Sequence, residues 1–450
     1  MRHHLPDLLA LLAPLTPPPH QRGTTMKRSK ILIAAWDGAG CVPPLMSVAR
    51  ALVGRGHDVR VIGDPVLAGA TTAAGARHVP WTRAPHRRDR NRASWFIDDL
   101  GPDGFAGMRD NLAVGPAAAF AADVREEIWR EPPDLVLAET LLLGALVAAE
   151  AAEVPAALLN TTINMFPVEG VPPFGPGFLP AVDDADRELH AAVAEQGAAA
   201  WNEALPALNR AREEQGLPPL AHVLEQYRSA ARVLVLTSSA FDFTGPLPPF
   251  LRYVGPRLDD LDAVPDGWTP QPGDEPLVLV SLSTEFQDQT DTLARVAAAL
   301  GTLPVRGVVT TGRAVDPGSV PAPANVQVLR LAPHREVLPH ASVVVTHCGH
   351  GTTIKALAAG IPLVCLPMGR DQNDVAARVV HRGAGVRLDP ASAPEQIAAA
   401  VREVLDDPAY RVRASSIADV IAVETADDLA VREIEELLGS HHGAPEAARA

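Results

Sequence analysis

The chain has 450 residues, of which 47% are hydrophobic, and a formal net charge of −15. That length suits two α/β units of about 200 residues, each with its own core, and the negative balance argues against an electrostatic nucleic-acid footprint. The three cysteines, Cys41, Cys348 and Cys365, give no disulfide framework and suit a reducing, cytoplasmic setting.

Residues 1–26 differ from the rest. The apolar run 8–12 is too short to cross a bilayer and leads into Pro-rich sequence, so this stretch reads as a disordered extension, and no later segment is long enough to span. A first strand is expected over residues 30–35, then a loop 36–44, an amphipathic helix 45–55 closed by Gly56, and a second strand 57–62 of a βαβ unit. The loop carries Trp36, Asp37 and Cys41. Asp37 reads either as a turn carboxylate or as a proton acceptor facing a substrate. Cys41 is a small space-filling residue unless a helix N-terminus depresses its pKa.

The run His86-Arg87-Arg88-Asp89-Arg90-Asn91-Arg92 reads as a solvated loop, with lining of a substrate mouth as the alternative. Asp98-Asp99, after Trp95-Phe96, reads as a surface pair. A strand over 133–139 ends in Glu139, just before a helix at 143–150. A helix start stabilises a carboxylate there, and catalysis is the competing reading. After a strand at 154–160, residues 161–180 scatter Met165, Phe166, Phe174 and Phe178 among Pro and Gly. Such a stretch forms no regular element and fits a loop lining a site for a flat or apolar molecule. Helical sequence over 182–214 is expected to break near Pro206, a strand follows at 231–236, and Pro, Gly and Asp then crowd a linker.

The second half begins with a buried strand, 277–281, followed by Ser283 and Thr284, a helix at 290–300, and strands at 305–310 and 326–331 before Ala332-Pro333-His334. The most informative stretch is 343–386. An apolar, β-branched strand ends in His347-Cys348-Gly349-His350-Gly351-Thr352-Thr353, and an Ala/Leu-rich helix follows. This gathers backbone N–H groups and a helix dipole at one point, an anion site suited to a diphosphate. The glycines permit close backbone approach, the threonines bond oxygens or cap the helix, and His347 donates a further hydrogen bond. A second strand, 363–366, leads into a loop carrying Asp371-Gln372, on the same carboxyl edge of the sheet. A carboxylate beside an amide suits sugar hydroxyls. Together the two loops read as a nucleotide-sugar pocket. His347, Cys348 and His350 lack a convincing further ligand set, so no metal is expected.

This stretch closely resembles the donor-binding signature of the GT-B glycosyltransferases of the UDP-glycosyltransferase superfamily (family 1). The likeness is strongest to the actinobacterial branch that decorates polyketides, macrolides and phenols, and it covers most of the chain from Lys27 to about Leu438. The resemblance implies an α/β GT-B fold with two Rossmann-like domains facing a cleft. Its divisions are an acceptor-binding domain at 27–240, a linker at 241–274, a donor-binding domain at 275–425, and a C-terminal helix and disordered tail at 426–450 crossing back. It also implies an inverting, metal-independent transfer from a UDP- or dTDP-sugar to a hydroxyl, with no resident cofactor, by a cytoplasmic monomer or homodimer. Donor contacts carried over are Ser283, Thr284, Ala332, His334, His347, Gly349, His350, Gly351, Thr352, Thr353, Asp371 and Gln372. The acceptor wall falls to Trp36, Trp95, Phe166 and Phe174.

Two positions depart from the family pattern. Where relatives carry a general-base His after Gly, this chain has Cys41, leaving Glu139, Asp37 or Cys41 itself as candidate bases. Where many relatives carry a ribose-binding Glu, this chain has Lys355, and Leu331 stands where a base-stacking Trp is common. C-glycosylation of a phenol, or a non-catalytic partner role, are the alternative readings that these departures raise.

Overall fold

The computed structural model describes residues 28–88, 104–260, 268–284 and 286–442. The expected extension over 1–26, Trp95 and the Asp98-Asp99 pair lie outside the described residues.

Seven strands build the first sheet: β1 (Lys30–Ala34), β2 (Asp58–Gly63), β3 (Arg77–Pro80), β4 (Leu135–Glu139), β5 (Ala156–Asn160), β6 (Arg232–Val235) and β7 (Leu251–Tyr253), in the order β3-β2-β1-β4-β5-β6-β7. Six build the second: β8 (Leu277–Ser281), β9 (Arg306–Thr310), β10 (Val326–Leu329), β11 (Ala341–Thr346), β12 (Leu363–Cys365) and β13 (Gly385–Arg387), in the order β10-β9-β8-β11-β12-β13. All pairings are parallel. The strands are apolar along their length because helices cover both faces: Leu32 and Ala34 join one core, Ile31 and Ile33 the opposite one. In both sheets the strand order reverses next to the first strand, between β1 and β4 and between β8 and β11. Chain leaving two neighbouring carboxyl ends in opposite directions opens a crevice, which is where open α/β sheets hold ligands.

Several elements differ from the sequence expectation. The stretch read as linker supplies β7, a strand of three residues, too short to show a period. Likewise β3 was not anticipated. The helical stretch 182–214 does break as expected near Pro206, into helices Asp184–Asn202 and Leu205–Glu214. Pro206 sits in the first turn of the second, where its missing N–H costs nothing. At the C-terminus, helices Pro394–Asp406 and Pro408–Ala426 precede Leu429–His442. The last of these buries Ala430, Val431 and Ile434 in the first sheet's core and ties Glu433 to Arg232 of β6. Among the described residues no helix is long and apolar enough to cross a membrane.

The two halves close on each other. The Arg378 guanidinium donates to Asp242 at 2.5 Å and lies 4.3 Å from the Phe243 ring centroid. The 161–180 loop of the first half clasps the helix Gln372–His381 of the second. Its Gly175 and Gly177 amides donate to the Asp374 carboxylate at 2.8 and 3.2 Å, and Thr162 Oγ1 donates to Asp371 at 2.6 Å.

Candidate active site

A single cavity of about 1660 Å³ lies between the facing carboxyl ends of the two sheets, reached by loops from both. On the first sheet, the chain leaving β1 places Trp36 and that leaving β4 starts at Glu139. Trp36 Nε1 donates to Glu139 Oε2 at 3.0 Å, and the Leu141 amide donates to the same oxygen at 2.9 Å. Gly38 makes this possible: a Cβ there would stand 2.6 Å from the Trp36 ring. Glu139 is 5% exposed, and burial pushes its carboxyl up to about 7 against the pull of those hydrogen bonds. A carboxylate that titrates near neutrality, at the floor of a cleft, is matched to proton abstraction.

The other two base candidates fall away. Asp37 does not line the cavity; its carboxylate is buried behind the wall and paired with Arg87 at 3.0 Å. Arg87, read from sequence as part of a solvated loop, is fully buried, and Asp64 organises the pair by accepting from the Asp37 and Arg87 amides. A charge inside the fold must be matched, and this basic run matches one. Removing one partner strands the other, so Asp37→Asn is expected to lower stability by about 3 kcal/mol in a denaturant titration, with turnover of the folded fraction little changed. Cys41 does line the cavity, but no depressed pKa results: burial first, then Glu139, push its thiol well above the ordinary range. Its Sγ donates to the Trp36 carbonyl at 3.5 Å, so it serves as neutral packing.

On the second sheet β11 delivers His347, and the helix His350–Ala358 begins immediately after Gly349. No side chain caps that helix start, and His347, Gly349, Gly351 and Thr352 line the cavity beside it. The imidazole of His347 lies against Gly349, where a Cβ would approach Cε1 and Nε2 to 2.7 Å. Burial, then Arg370, hold His347 down to about 3, so it acts as a neutral hydrogen-bonding group. Thr353 is a correction: it is fully buried and off the cavity wall, because helical phase sends Thr352 and Lys355 to the cleft and Thr353 inward with Ala356 and Leu357. His350 lies on the wall, but its Nε2 sits 2.8 Å from Thr237 Oγ1 after β6, so its ring joins the two halves.

Asp371 and Gln372 reach the cavity from the loop after β12. Besides the Asp371–Thr162 bond, Gln372 accepts from the Met368 amide at 2.8 Å and donates to Gln287 at 3.0 Å, joining its loop to the one after β8. Ser283 and Thr284 after β8, and Ala332 and His334 after the edge strand β10, also line the cavity, with His334 Nε2 3.2 Å from Ser281 Oγ. Among the described residues no group of three His, Cys, Asp or Glu side chains converges as a metal site.

The cavity wall from the first half is richer in aromatic rings than sequence showed. Phe166 stands edge-on to Tyr227, with centroids 5.0 Å apart, while Phe174 also packs on the second sheet's core. The helix Asp184–Asn202, none of whose residues is buried, forms a further wall with His190, Ala194, Gly197 and Trp201, and Phe105 meets Trp201 edge-on at 5.1 Å. Sequence reading passed over this wall. Its one legible signal was the row of small residues spaced along a single helix face.

Two doubly wound parallel sheets with a cavity between their carboxyl ends define the two-domain GT-B fold. Residues 220–449 match the family described as UDP-glucoronosyl and UDP-glucosyl transferase. The chain is 32% identical over 423 residues to 4'-demethylrebeccamycin synthase of Lentzea aerocolonigenes, covering 91% of this chain and all of that one. It is 27% identical to the oleandomycin glycosyltransferase of Streptomyces antibioticus, covering 90% and 89%. Among solved structures, the calicheamicin glycosyltransferase superimposes with a TM-score of 0.75 at 25% identity, over 93% of this chain and all of that one. The glycosyltransferase of kitacinnamycin does so with 0.72 at 26%, over 92% and 100%. The chain belongs to the UDP-glucoronosyl and UDP-glucosyl transferase family, and it is a glycosyltransferase that uses a nucleoside diphosphate sugar.

Proposed function

We propose that the enzyme transfers a sugar to a hydroxyl of an apolar, aromatic natural product, with Glu139 as general base. The observation that carries this reading is a buried carboxylate titrating near 7, set among Trp36, Phe166, Tyr227 and Trp201 and facing the donor loops. The acceptor lies against those rings, and the donor lies along the second sheet's carboxyl edge. Its diphosphate sits at the helix start with His347, and its sugar sits at Asp371 and Gln372. The acceptor oxygen attacks the anomeric carbon from the Glu139 side as its proton passes to the carboxylate. The bond to the phosphate oxygen breaks on the opposite side, with inversion, and its electron pair leaves with the nucleoside diphosphate. Charge then grows on the phosphates, where helix amides and the imidazole already point.

The relatives' names, 4'-demethylrebeccamycin synthase and the oleandomycin and calicheamicin glycosyltransferases, support a natural-product acceptor, whereas the aromatic preference rests on the rings that line the cavity. The division into an acceptor unit over 27–240 and a donor unit over 275–425 belongs to the same proposal. So do a cytoplasmic setting, for which three buried free thiols are the support, and a monomer or homodimer. The test is mass spectrometry after incubation with UDP- and dTDP-sugars and a mixed set of polycyclic phenols and macrolides. A product heavier by one sugar, on an aromatic acceptor and released by acid, is the expected result. Turnover confined to aliphatic macrolide alcohols would overturn the acceptor reading.

A further inference from the structure

We propose that Asp260, held in place by Lys355, accepts the 2′-hydroxyl of the donor's ribose, so that the enzyme selects ribonucleoside over 2′-deoxyribonucleoside diphosphates. The inference deepens the donor-site reading above and rests on it. Direction comes first. The sugar must reach the acceptor, and Asp371, Gln372 and Glu139 mark that side of the cavity. The nucleoside therefore runs the other way from the diphosphate, toward the cavity end lined by Leu331, Ala332, Pro333 and His334.

Position follows from the helix. Gly351 and Thr352 at its start and Lys355 lie at i, i+4 and i, i+3 spacing, on one face that lines the cavity. One turn is about 5.4 Å, the step from a phosphate to the ribose it carries. At that step Lys355 Nζ donates to Asp260 Oδ1 at 2.9 Å, and the Arg335 amide donates to Asp260 Oδ2 at 3.1 Å. The pair is largely enclosed, with side chains 12% and 15% exposed.

Its chemistry fits one hydroxyl on each ribose edge. A hydroxyl donates once and accepts, a carboxylate only accepts, and an ammonium only donates, so the pair offers both halves side by side. Among the neighbours, Asp259 is drawn to Arg50 at 3.0 Å on the exposed rim, His334 Nε2 lies 3.2 Å from Ser281 Oγ, and Leu331, Ala332 and Pro333 present no polar side chain. A 2′-deoxy sugar would bury this pair against a hydrogen that satisfies neither partner.

The test is titration calorimetry of the full chain with UDP, 2′-deoxy-UDP and dTDP at one ionic strength. Comparing the last two isolates the base methyl group. Wild type is expected to bind UDP more tightly than 2′-deoxy-UDP by on the order of ten- to a hundredfold, the range for a hydrogen bond to a charged group. Asp260→Ala, and Asp260→Ala combined with Lys355→Met so that no charge is left unmatched, should each bring that ratio to within about twofold. A wild-type ratio near one would overturn the proposal. So would a ratio preserved in both variants, which would make the pair a tether between linker and helix. Failure of every nucleotide to bind wild type would instead overturn the donor site itself, and this inference with it.

Discussion

Replacing Glu139 by Gln is expected to lower kcat by about two to four orders of magnitude while leaving nucleotide affinity unchanged. Gln keeps the shape and still accepts from Trp36 Nε1 and the Leu141 amide, so only the proton-accepting power is removed. With Glu139 present, the ionised carboxylate is the active form. Its carboxyl is raised to about 7, so activity should climb through that pH and fall tenfold per unit below it, and the Gln variant should lose this limb. Trp36→Phe removes a donor to the ionised form and should move the limb upward in pH.

Stability gives a second, opposite readout for the same substitution. A carboxyl whose folded pKa lies above its unfolded value binds its proton more tightly in the native state. Its favourable contribution is present below the unfolded pKa and is lost as pH rises toward 7. A rise from 4.5 to about 7 corresponds to roughly 3.4 kcal/mol at pH 8 as an upper bound. Gln carries no such burden, so the variant should melt higher than wild type at pH 8 and alike at pH 4. A residue with a merely structural role would lose stability when changed. Lower activity joined to higher alkaline stability is the signature of a base held in a hostile environment.

How much of this could be read from sequence follows from where the relevant residues lie along the chain. That His347 to Thr352 and Asp371-Gln372 share one cavity wall was legible because one βα turn and the next loop carry them, within a span whose periodicity is plain. Glu139 was legible as the last residue of a strand, but that it lines the cavity while Asp37 does not was hidden. The difference depends on Arg87, which pairs with Asp37 from fifty positions away, in a run that charge alone marks as solvated. Cys41 was placed correctly in its loop, whereas the sign of its pKa shift depends on enclosure and on Glu139, neither of which a local pattern reports. Thr353 is a different kind of miss. The period of the helix already sends it to the opposite face from Thr352, and reading the motif as a string of contacts overrode that geometry. The joins between halves, Asp374 with the Gly175 and Gly177 amides and His350 with Thr237, bring together chain separated by 100 residues or more. They leave no local trace.

Gly349→Ala carries the second large effect. A Cβ at this position would lie 2.7 Å from two atoms of the His347 imidazole, closer than any relaxed contact, so the ring must shift. The new methyl therefore displaces a group placed where negative charge develops on the departing diphosphate. Loss of one such donor costs on the order of 10²- to 10³-fold in kcat in other enzymes, and that is the expected fall here. Gly351 is the contrast, since a Cβ there meets nothing. The double variant His347→Ala/Gly349→Ala decides the mechanism. If the methyl acts by moving the imidazole, the double variant should be no slower than His347→Ala alone, and the two effects will be far from additive. Additive losses would mean that the methyl obstructs the phosphates directly, and that His347 contributes little to stabilising the leaving group.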